Sequence, residues 1–265
     1  MSEPVDTRLS GRHVVVTGGA RGIGRGIATR CARSGADVSI FDLRPSVAEE
    51  TAAEIRDIGG AASVHEVDVT DADAVEDAVA AAESALGPID GLVNNAGVQQ
   101  SISILETTED EWDRHFDVNA KGTFLVSKRV AERMIETKTR GSIVNVASVG
   151  ADRPFRGQGA YGASKAAVVT FTTVLAKELA DHGITANSIK PGTIDTPMVQ
   201  QWLEERAAES DATEDELLAE TIDEHVLDRI GKPEEIGHAA VWLLSAEGEW
   251  VTGESIAVDG GYLKG

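Results

Sequence analysis

Residues 13–24 read His13-Val14-Val15-Val16-Thr17-Gly18-Gly19-Ala20-Arg21-Gly22-Ile23-Gly24. The first five positions carry four β-branched side chains, the composition of a short buried strand. Glycines then interrupt the chain before an amphipathic stretch from Gly22 to Ser34, which Gly35 ends as a helix cap. A glycine-rich turn between strand and helix lets the backbone approach a pyrophosphate. The helix start adds free N–H groups and the positive end of its dipole. Turn glycines often do no more than turn; here their place between strand and helix is the context a dinucleotide site requires. A second strand, Val38 to Asp42, ends on a carboxylate about 18 residues beyond Gly24, where it would accept hydrogen bonds from adenosine ribose hydroxyls. The same charge repels a 2′-phosphate, so NAD is expected over NADP, with Arg44 near enough to dilute the preference.

Outward from this unit, β-branched runs keep alternating with longer Ala-rich amphipathic ones, the pattern of repeated βαβ units. The spacing predicts a helix over 45–58, a strand over 63–67, a helix over 71–86 and a short strand over 92–94. Thr108-Glu109-Asp110-Glu111 fits a capping box opening one long helix towards Thr137. A strand over 142–146, a helix over 159–181 and a strand over 184–189 follow. A polar helical insertion spans 196–220, Pro233 opens another helix at its first position, and a last strand covers 254–258. Right-handed crossovers make this an α/β fold, a single-domain doubly wound parallel sheet over 6–265 with helices on both faces, behind a polar tail at 1–5. Its ligand crevice is expected beyond the carboxyl ends of the strands, near Asn94 and Ser148.

Tyr161 and Lys165 stand four residues apart in Y-G-A-S-K, with Ser148 upstream in V-N-V-A-S. On a helix this spacing puts phenol and ammonium on one face. A phenol is nearly inert at neutral pH, with an ordinary pKa of about 10. A positive charge about 4 Å away, at an effective dielectric of about 20, supplies roughly 4 kcal/mol, enough to bring the phenol towards neutrality. Tyr161 then becomes a proton donor and acceptor, with Ser148 holding the oxygen that gains or loses the proton. Y-x-x-x-K alone is a chance-prone spacing and gains weight only beside the glycine turn.

Charge and composition narrow the partners. The chain has 45 Asp+Glu against 24 Lys+Arg, a formal net charge of −21. Such a surface repels nucleic acid and anionic membrane. The opening residues are polar and acidic, unlike a signal peptide, and no apolar run is long enough to span a bilayer. Cys31 is the sole cysteine and is expected to pack in a helix. A cytoplasmic protein is the resulting expectation. Acidic excess, few Lys relative to Arg, abundant Ala and few aromatics resemble haloarchaeal proteins. In multimolar salt the Debye length falls to about 3 Å or less and self-repulsion is screened. The histidines at 13, 65, 115, 182, 225 and 238 show no paired ligand spacing, so no metal is expected.

The combined motifs resemble the short-chain dehydrogenase/reductase family over nearly the whole chain, which implies a Rossmann-type sheet. The matching pieces are T-G-G-A-R-G-I-G, Asp68-Val69, Asn94-Asn95-Ala96-Gly97, Asn119, Ser148, Tyr161 to Lys165, and Pro191-Gly192-Thr193-Ile194-Asp195-Thr196. By this resemblance Gly18, Arg21, Gly22, Ile23 and Gly24 belong to the pyrophosphate turn. Asp68 and Val69 would flank the adenine, and Asn95, Ala96 and Gly97 would line the ribose. Pro191, Gly192, Ile194 and Thr196 would face the nicotinamide amide. Plain structural roles stay open: Asp68 as a cap, Asn94 and Asn95 as strand-end partners, Pro191-Gly192 as a turn. Lys165 would also hold the nicotinamide ribose, and Asn119 would anchor a water for proton relay, its alternative being a helix kink or a bond within the helix.

The implied chemistry is reversible hydride transfer between a nicotinamide and a secondary alcohol or ketone. Topology places Gln99, Gly150, Phe155, Gln158, Met198 and Trp202 at the crevice mouth, beside Ser148. Amides bond hydroxyls and aromatic faces cover C–H surfaces, a mix suited to a small sugar or polyol. I-D-T-P-M also resembles family members acting on such substrates. A reductase of carrier-bound 3-oxoacyl chains is the main enzymatic rival, and a non-catalytic NAD-binding module the rival of another class. The family commonly forms homotetramers, through helices around 112–137 and 160–180 and the region 251–265. The polar segment 196–220, with little core of its own to bury, is expected to be a mobile substrate lid.

Overall fold

β1 (His13–Thr17) is buried along its whole length and pairs in parallel with strands on both sides. One neighbour is β2 (Asp37–Asp42), in register His13 with Asp37; the other is β4 (Gly91–Asn94), in register Val14 with Gly91. β3 (Ala62–Glu66) extends the sheet beyond β2, while β5 (Ser142–Val146), β6 (Thr185–Pro191) and β7 (Ser255–Val258) extend it beyond β4. The order is therefore β3-β2-β1-β4-β5-β6-β7, every pair parallel. Strand order reverses between β1 and β4, which opens a crevice beyond their carboxyl ends. The computed structural model describes residues 6–265 apart from Glu209 and Asp211.

Helices cover both faces. α1 (Gly22–Arg33), α2 (Pro45–Asp57) and α9 (Pro233–Leu244) bury Ile27, Ile55 and Ile236 against one side. α3 (Ala72–Leu86), α5 (Thr123–Thr137) and α6 (Gly159–Leu179) bury Val79, Val130 and Leu175 against the other. β-branched strands covered on both faces read as unbroken apolar runs, which is why residues 14–16 and 143–144 are fully buried.

The long helix expected from Thr108 towards Thr137 forms, but it is not α-helical throughout. The capping box forms, with Thr108 and Glu111 exchanging bonds. The helix it opens, α4 (Glu109–His115), runs only to His115 before a π-helical stretch, Phe116–Gly122, joins it to α5. Two contacts account for the bulge. Asn119 spends its amide on the backbone of Val98, and Gly122 packs on Val69 so closely that a Cβ would lie 2.7 Å from a Val69 methyl. π-bulges of this kind concentrate at functional sites.

The insertion is also more structured than its polarity suggested. It folds as two helices, α7 (Pro197–Ala208) and α8 (Glu214–Asp223), whose contact buries Trp202, Leu203 and Leu217 with Val199 and Leu218 packed alongside. These few apolar side chains all face one another, giving the segment a small core separate from the sheet.

Candidate active site

The glycine turn is held open by its neighbours. Gly18 and Gly22 adopt φ of +63° and +54°, which disfavour a side chain. A Cβ on Gly24 would lie 2.0 Å from the Gly18 carbonyl oxygen. Asn95 donates through Nδ2 to the carbonyls of Thr17 (3.0 Å) and Gly18 (3.1 Å). In return, Thr17 Oγ1 accepts from the N–H groups of Asn95 and Ala96, both at 3.0 Å. Asn95 thus clamps β1 to the end of β4, and Ala96 and Gly97 continue along the crevice wall. Arg21, at the N-cap of α1, makes no side-chain bond to the first turn, so its N–H groups stay uncapped beside the crevice that Gly22, Ile23 and Gly24 line. Uncapped donors behind glycines too crowded for side chains fit a pyrophosphate.

Asp42 is buried at the end of β2. Its two oxygens accept from backbone N–H groups, Oδ2 from Ala20 at 3.1 Å and Oδ1 from Arg44 at 3.0 Å. Arg44 Nε is 3.5 Å from Oδ1. The carboxylate borders both the crevice and an adjoining recess that contains Asp68 and Val69. Asp68 Oδ1 accepts from the N–H (2.9 Å) and hydroxyl (2.8 Å) of Thr70, so it also stabilises its own turn. Pro191, Gly192, Ile194 and Thr196 lie across the crevice, Thr196 facing the bare α-carbon of Gly22.

At the other end, Ser148, Tyr161 and Lys165 line the same crevice. Ser148 follows β5, and its Oγ accepts from Gly150 N–H at 3.0 Å. Tyr161 and Lys165 stand on the first turns of α6. Lys165 is buried; its Nζ donates to the Val146 carbonyl at 2.9 Å and lies 5.9 Å from the Tyr161 ring centroid. Burial brings the ammonium down to about 8 and pushes the Tyr161 phenol up, with hydrogen bonding to Ser148 pulling the phenol back. The expected lowering of Tyr161 by Lys165 is therefore not a property of the protein alone. The ammonium is engaged by a carbonyl, and burial is the largest cause acting on the phenol.

Asn119 is fully buried. Its Oδ1 accepts from Val98 N–H at 2.8 Å, and its Nδ2 donates to the Val98 carbonyl (3.0 Å) and to Ser164 Oγ (2.9 Å). Ser164 in turn donates to the Tyr161 carbonyl at 2.7 Å, linking Asn119 to the turn carrying the phenol. Asn119 Oδ1 and Lys165 Nζ both border Gly97, where a Cβ would meet them at 3.1 and 3.4 Å. The Asn119 side chain thus bonds outside its own helix; within it, Thr123 Oγ1 donates to the Asn119 backbone carbonyl. Ser164 and Thr17 were missed in the sequence; only the i+3 spacing of Ser164 from Tyr161 hinted at its link.

Gln99, Phe155, Gln158, Met198 and Trp202 line the outer crevice, joined by Thr193, Pro197 and Val199. Gly150 does not line it. It backs the site, and a Cβ there would lie 3.3 Å from Ser148 Oγ and 3.6 Å from the Tyr161 ring. Gln158 is buried, with its Oε1 beside Gly150. Asn94 faces inward instead, donating to Ser127 and Asn145, which sets a polar brace between β4 and β5. His13, His115 and His225 are buried and bond backbone carbonyls through their rings. Among the described residues no group of three His, Cys, Asp or Glu could hold a metal, and no helix is long and apolar enough to cross a membrane.

A nucleotide-type crevice ending in Ser, Tyr and Lys is the construction of an oxidoreductase, and comparison with known proteins agrees. Residues 18–263 match the family described as Enoyl-(Acyl carrier protein) reductase. The chain is 37% identical to 2-(S)-hydroxypropyl-CoM dehydrogenase 3 of Xanthobacter autotrophicus, covering 97% of this chain and 98% of that one. It is 38% identical to cyclopentanol dehydrogenase of Comamonas testosteroni (96% and 98%). It is 37% identical to 3-oxoacyl-[acyl-carrier-protein] reductase of Thermotoga maritima (97% and 99%). A crystal structure of a putative short-chain alcohol dehydrogenase from Sinorhizobium meliloti superposes with a TM-score of 0.90 at 34% identity, covering 98% and 99% of the two chains. The chain belongs to the short-chain dehydrogenase/reductase family.

Proposed function

We propose that this chain is an NAD-dependent dehydrogenase that interconverts a small secondary alcohol, a sugar or polyol, with its ketone. The observation that carries the reading is the shared crevice, with Asp42 and the glycine turn at one end and Ser148, Tyr161 and Lys165 at the other. Relatives named as alcohol dehydrogenases support a CH–OH substrate. NAD, when bound, supplies the hydride acceptor for oxidation. Tyr161 takes the hydroxyl proton in oxidation and returns it in reduction. Ser148 donates to the substrate oxygen and steadies its developing charge. Lys165 holds the nicotinamide ribose, while Asn119 anchors the relay that returns the proton to solvent. Gln99 and the Gln158 amide are the groups for further substrate hydroxyls, against the aromatic faces of Phe155 and Trp202, with Met198 beside them and α7 and α8 as the lid.

A buried carboxylate whose oxygens are already fixed by two N–H groups favours NAD, since a 2′-phosphate would meet its charge. Arg44 beside it moderates the preference. The rival, reduction of carrier-bound 3-oxoacyl chains, draws on the Thermotoga relative's name; Asp42 and the net charge of −21, which repels an acidic carrier, weigh against it. A homotetramer in a salty cytoplasm completes the reading. NADH formation over a panel of polyols, sugars and cyclopentanol, at low and multimolar KCl, tests it. Turnover of polyols or sugars above that of cyclopentanol is expected. No NADH from any member would leave an NAD-binding module as the better account.

A further inference from the structure

Beyond the crevice, four rings from separate parts of the chain form a continuous ladder. Trp202 on α7 faces Phe155 at a centroid distance of 5.9 Å. Phe155 faces Tyr262 at 5.5 Å, and Tyr262 faces His225 at 5.4 Å. Only Phe155 and Trp202 touch the crevice. Tyr262 stands behind them, in a short 3-10 turn (Tyr262–Lys264), and is almost wholly buried.

Tyr262 is held more firmly than a packing residue needs to be. Arg153 donates through Nη1 to its carbonyl at 3.0 Å and lays its guanidinium over the ring, 4.6 Å from the centroid. Arg153 also lies 3.8 Å from Glu224, at the end of α8. Burial, and after it the charge of Glu224, push the Tyr262 phenol up, against the pull of Arg153. Asp259 fixes the turn from within, accepting from the N–H groups of Gly261 and Leu263, both at 2.9 Å. At the far rung, His225 Nδ1–H donates to the Thr221 carbonyl at 2.8 Å, while its Nε2 accepts from Thr193 N–H at 3.4 Å. Thr193 belongs to the segment 191–196 that lines the crevice.

We propose that Tyr262 is a positioning residue for substrate: it fixes Phe155 against Trp202 and ties this wall, through His225, to the segment 191–196. It touches neither the crevice nor the residues that carry the proton, so its effect falls on how tightly the alcohol is held and how α7 closes. This rests on the proposed dehydrogenase reading. The three ring contacts are tilted, at interplanar angles of 49°, 40° and 44°, and contacts between rings at such centroid distances contribute beyond the area they bury, a contribution lost when one ring is removed.

The test is steady-state kinetics with NAD and cyclopentanol as the probe alcohol, on the wild type, Tyr262→Ala, Tyr262→Phe and Arg153→Gln. Tyr262→Ala is expected to raise the KM for cyclopentanol about tenfold with kcat and the KM for NAD within about twofold, a loss of binding rather than of chemistry. Tyr262→Phe keeps the ring and should restore the KM to within about threefold of wild type. Arg153→Gln, at an exposed position, should shift the same KM in the same direction by a smaller factor. An unchanged KM in Tyr262→Ala, equal damage in Tyr262→Phe, or a parallel rise in the KM for NAD would overturn the proposal. If the wild type oxidises no alcohol, the dehydrogenase reading fails by itself. Hydrogen exchange then decides the ladder: amides of 154–158 and 197–208 should exchange at least about fivefold faster in Tyr262→Ala. Unchanged exchange in either stretch would refute it.

Discussion

The glycine-turn half of the crevice is tied together by backbone groups, whereas the half beyond Ser148 is walled by side chains. In the first half Thr17, Asn95 and Asp42 each lock main-chain N–H or C=O groups, and glycines crowd the space a side chain would take. In the second, Phe155, Met198 and Trp202 come from a loop and a helix outside the sheet, and α7 and α8 rest on a core of a few residues. A backbone-built site suits one ligand and tolerates little change. A side-chain-built wall can be re-cut without disturbing the sheet.

If Lys165 serves both cofactor and phenol as proposed, its loss should affect both halves. Lys165→Met is expected to reduce kcat by about 10³-fold or more and to weaken NADH binding as well, measured by turnover and titration on one preparation. A variant that lost turnover alone would restrict Lys165 to the substrate side. Next, Asp42→Ala should cut the preference for NAD over NADP by about tenfold or more, read as the ratio of kcat/KM values, with alcohol KM unmoved. A ratio unchanged by the substitution would remove Asp42 from cofactor choice.

Smaller effects separate the lid from the sheet. Leu217→Ala hollows the cluster between α7 and α8, and a buried Leu→Ala change costs about 2–5 kcal/mol where it acts. Hydrogen exchange across 197–223 should accelerate while the main melting transition hardly moves. A matching drop in that transition would show the lid to be part of the main core. pH should act on the sheet instead. His13 is held below the ordinary histidine range by burial, despite the Gly87 carbonyl and the charges of Asp90, Asp37 and Glu83; His65 is lowered by burial and by His13. Their folded-state values lie below an unfolded value of about 6.5, so the unfolded chain takes protons first as pH falls. Stability is fully present above that pH and is lost below it, a loss His13→Gln should flatten. Glu235, held at about 2 beside Arg229, contributes a loss that begins only below about 4.5 and marks a separate window. Melting temperature should also rise from low to multimolar KCl, as screening relieves the −21 charge; equal stability at both would refute the salt adaptation.

The sequence carried the sheet almost entirely, because strands covered on both faces are written as unbroken apolar runs and their helices as amphipathic ones. It carried the glycine turn and Asp42 for the same local reason, since each depends on neighbours within one βαβ unit. What it could not show arises from contacts distant along the chain. The π-helical stretch follows from Asn119 reaching Val98 and Gly122 meeting Val69, neither of which disturbs the helical pattern of 108–137. The small core under α7 and α8 needs Trp202 of one helix and Leu217 of the other to meet, and hydrophobic count alone understates it. Tyr262 gave no signal at all: its partners are at 153, 155 and 225. The pairing of Tyr161 with Lys165 was legible as spacing, but the carbonyl that engages the ammonium was not.

The separation of the two halves is tested most directly by Tyr161→Phe, which removes one oxygen at the substrate end and leaves the glycine turn untouched. Calorimetric titration of NADH and turnover should be measured on the same preparation. Turnover lower by about 10²–10⁴-fold with NADH affinity within about twofold of wild type is the expected result. Near-normal turnover, or an NADH affinity that falls with it, would contradict the account.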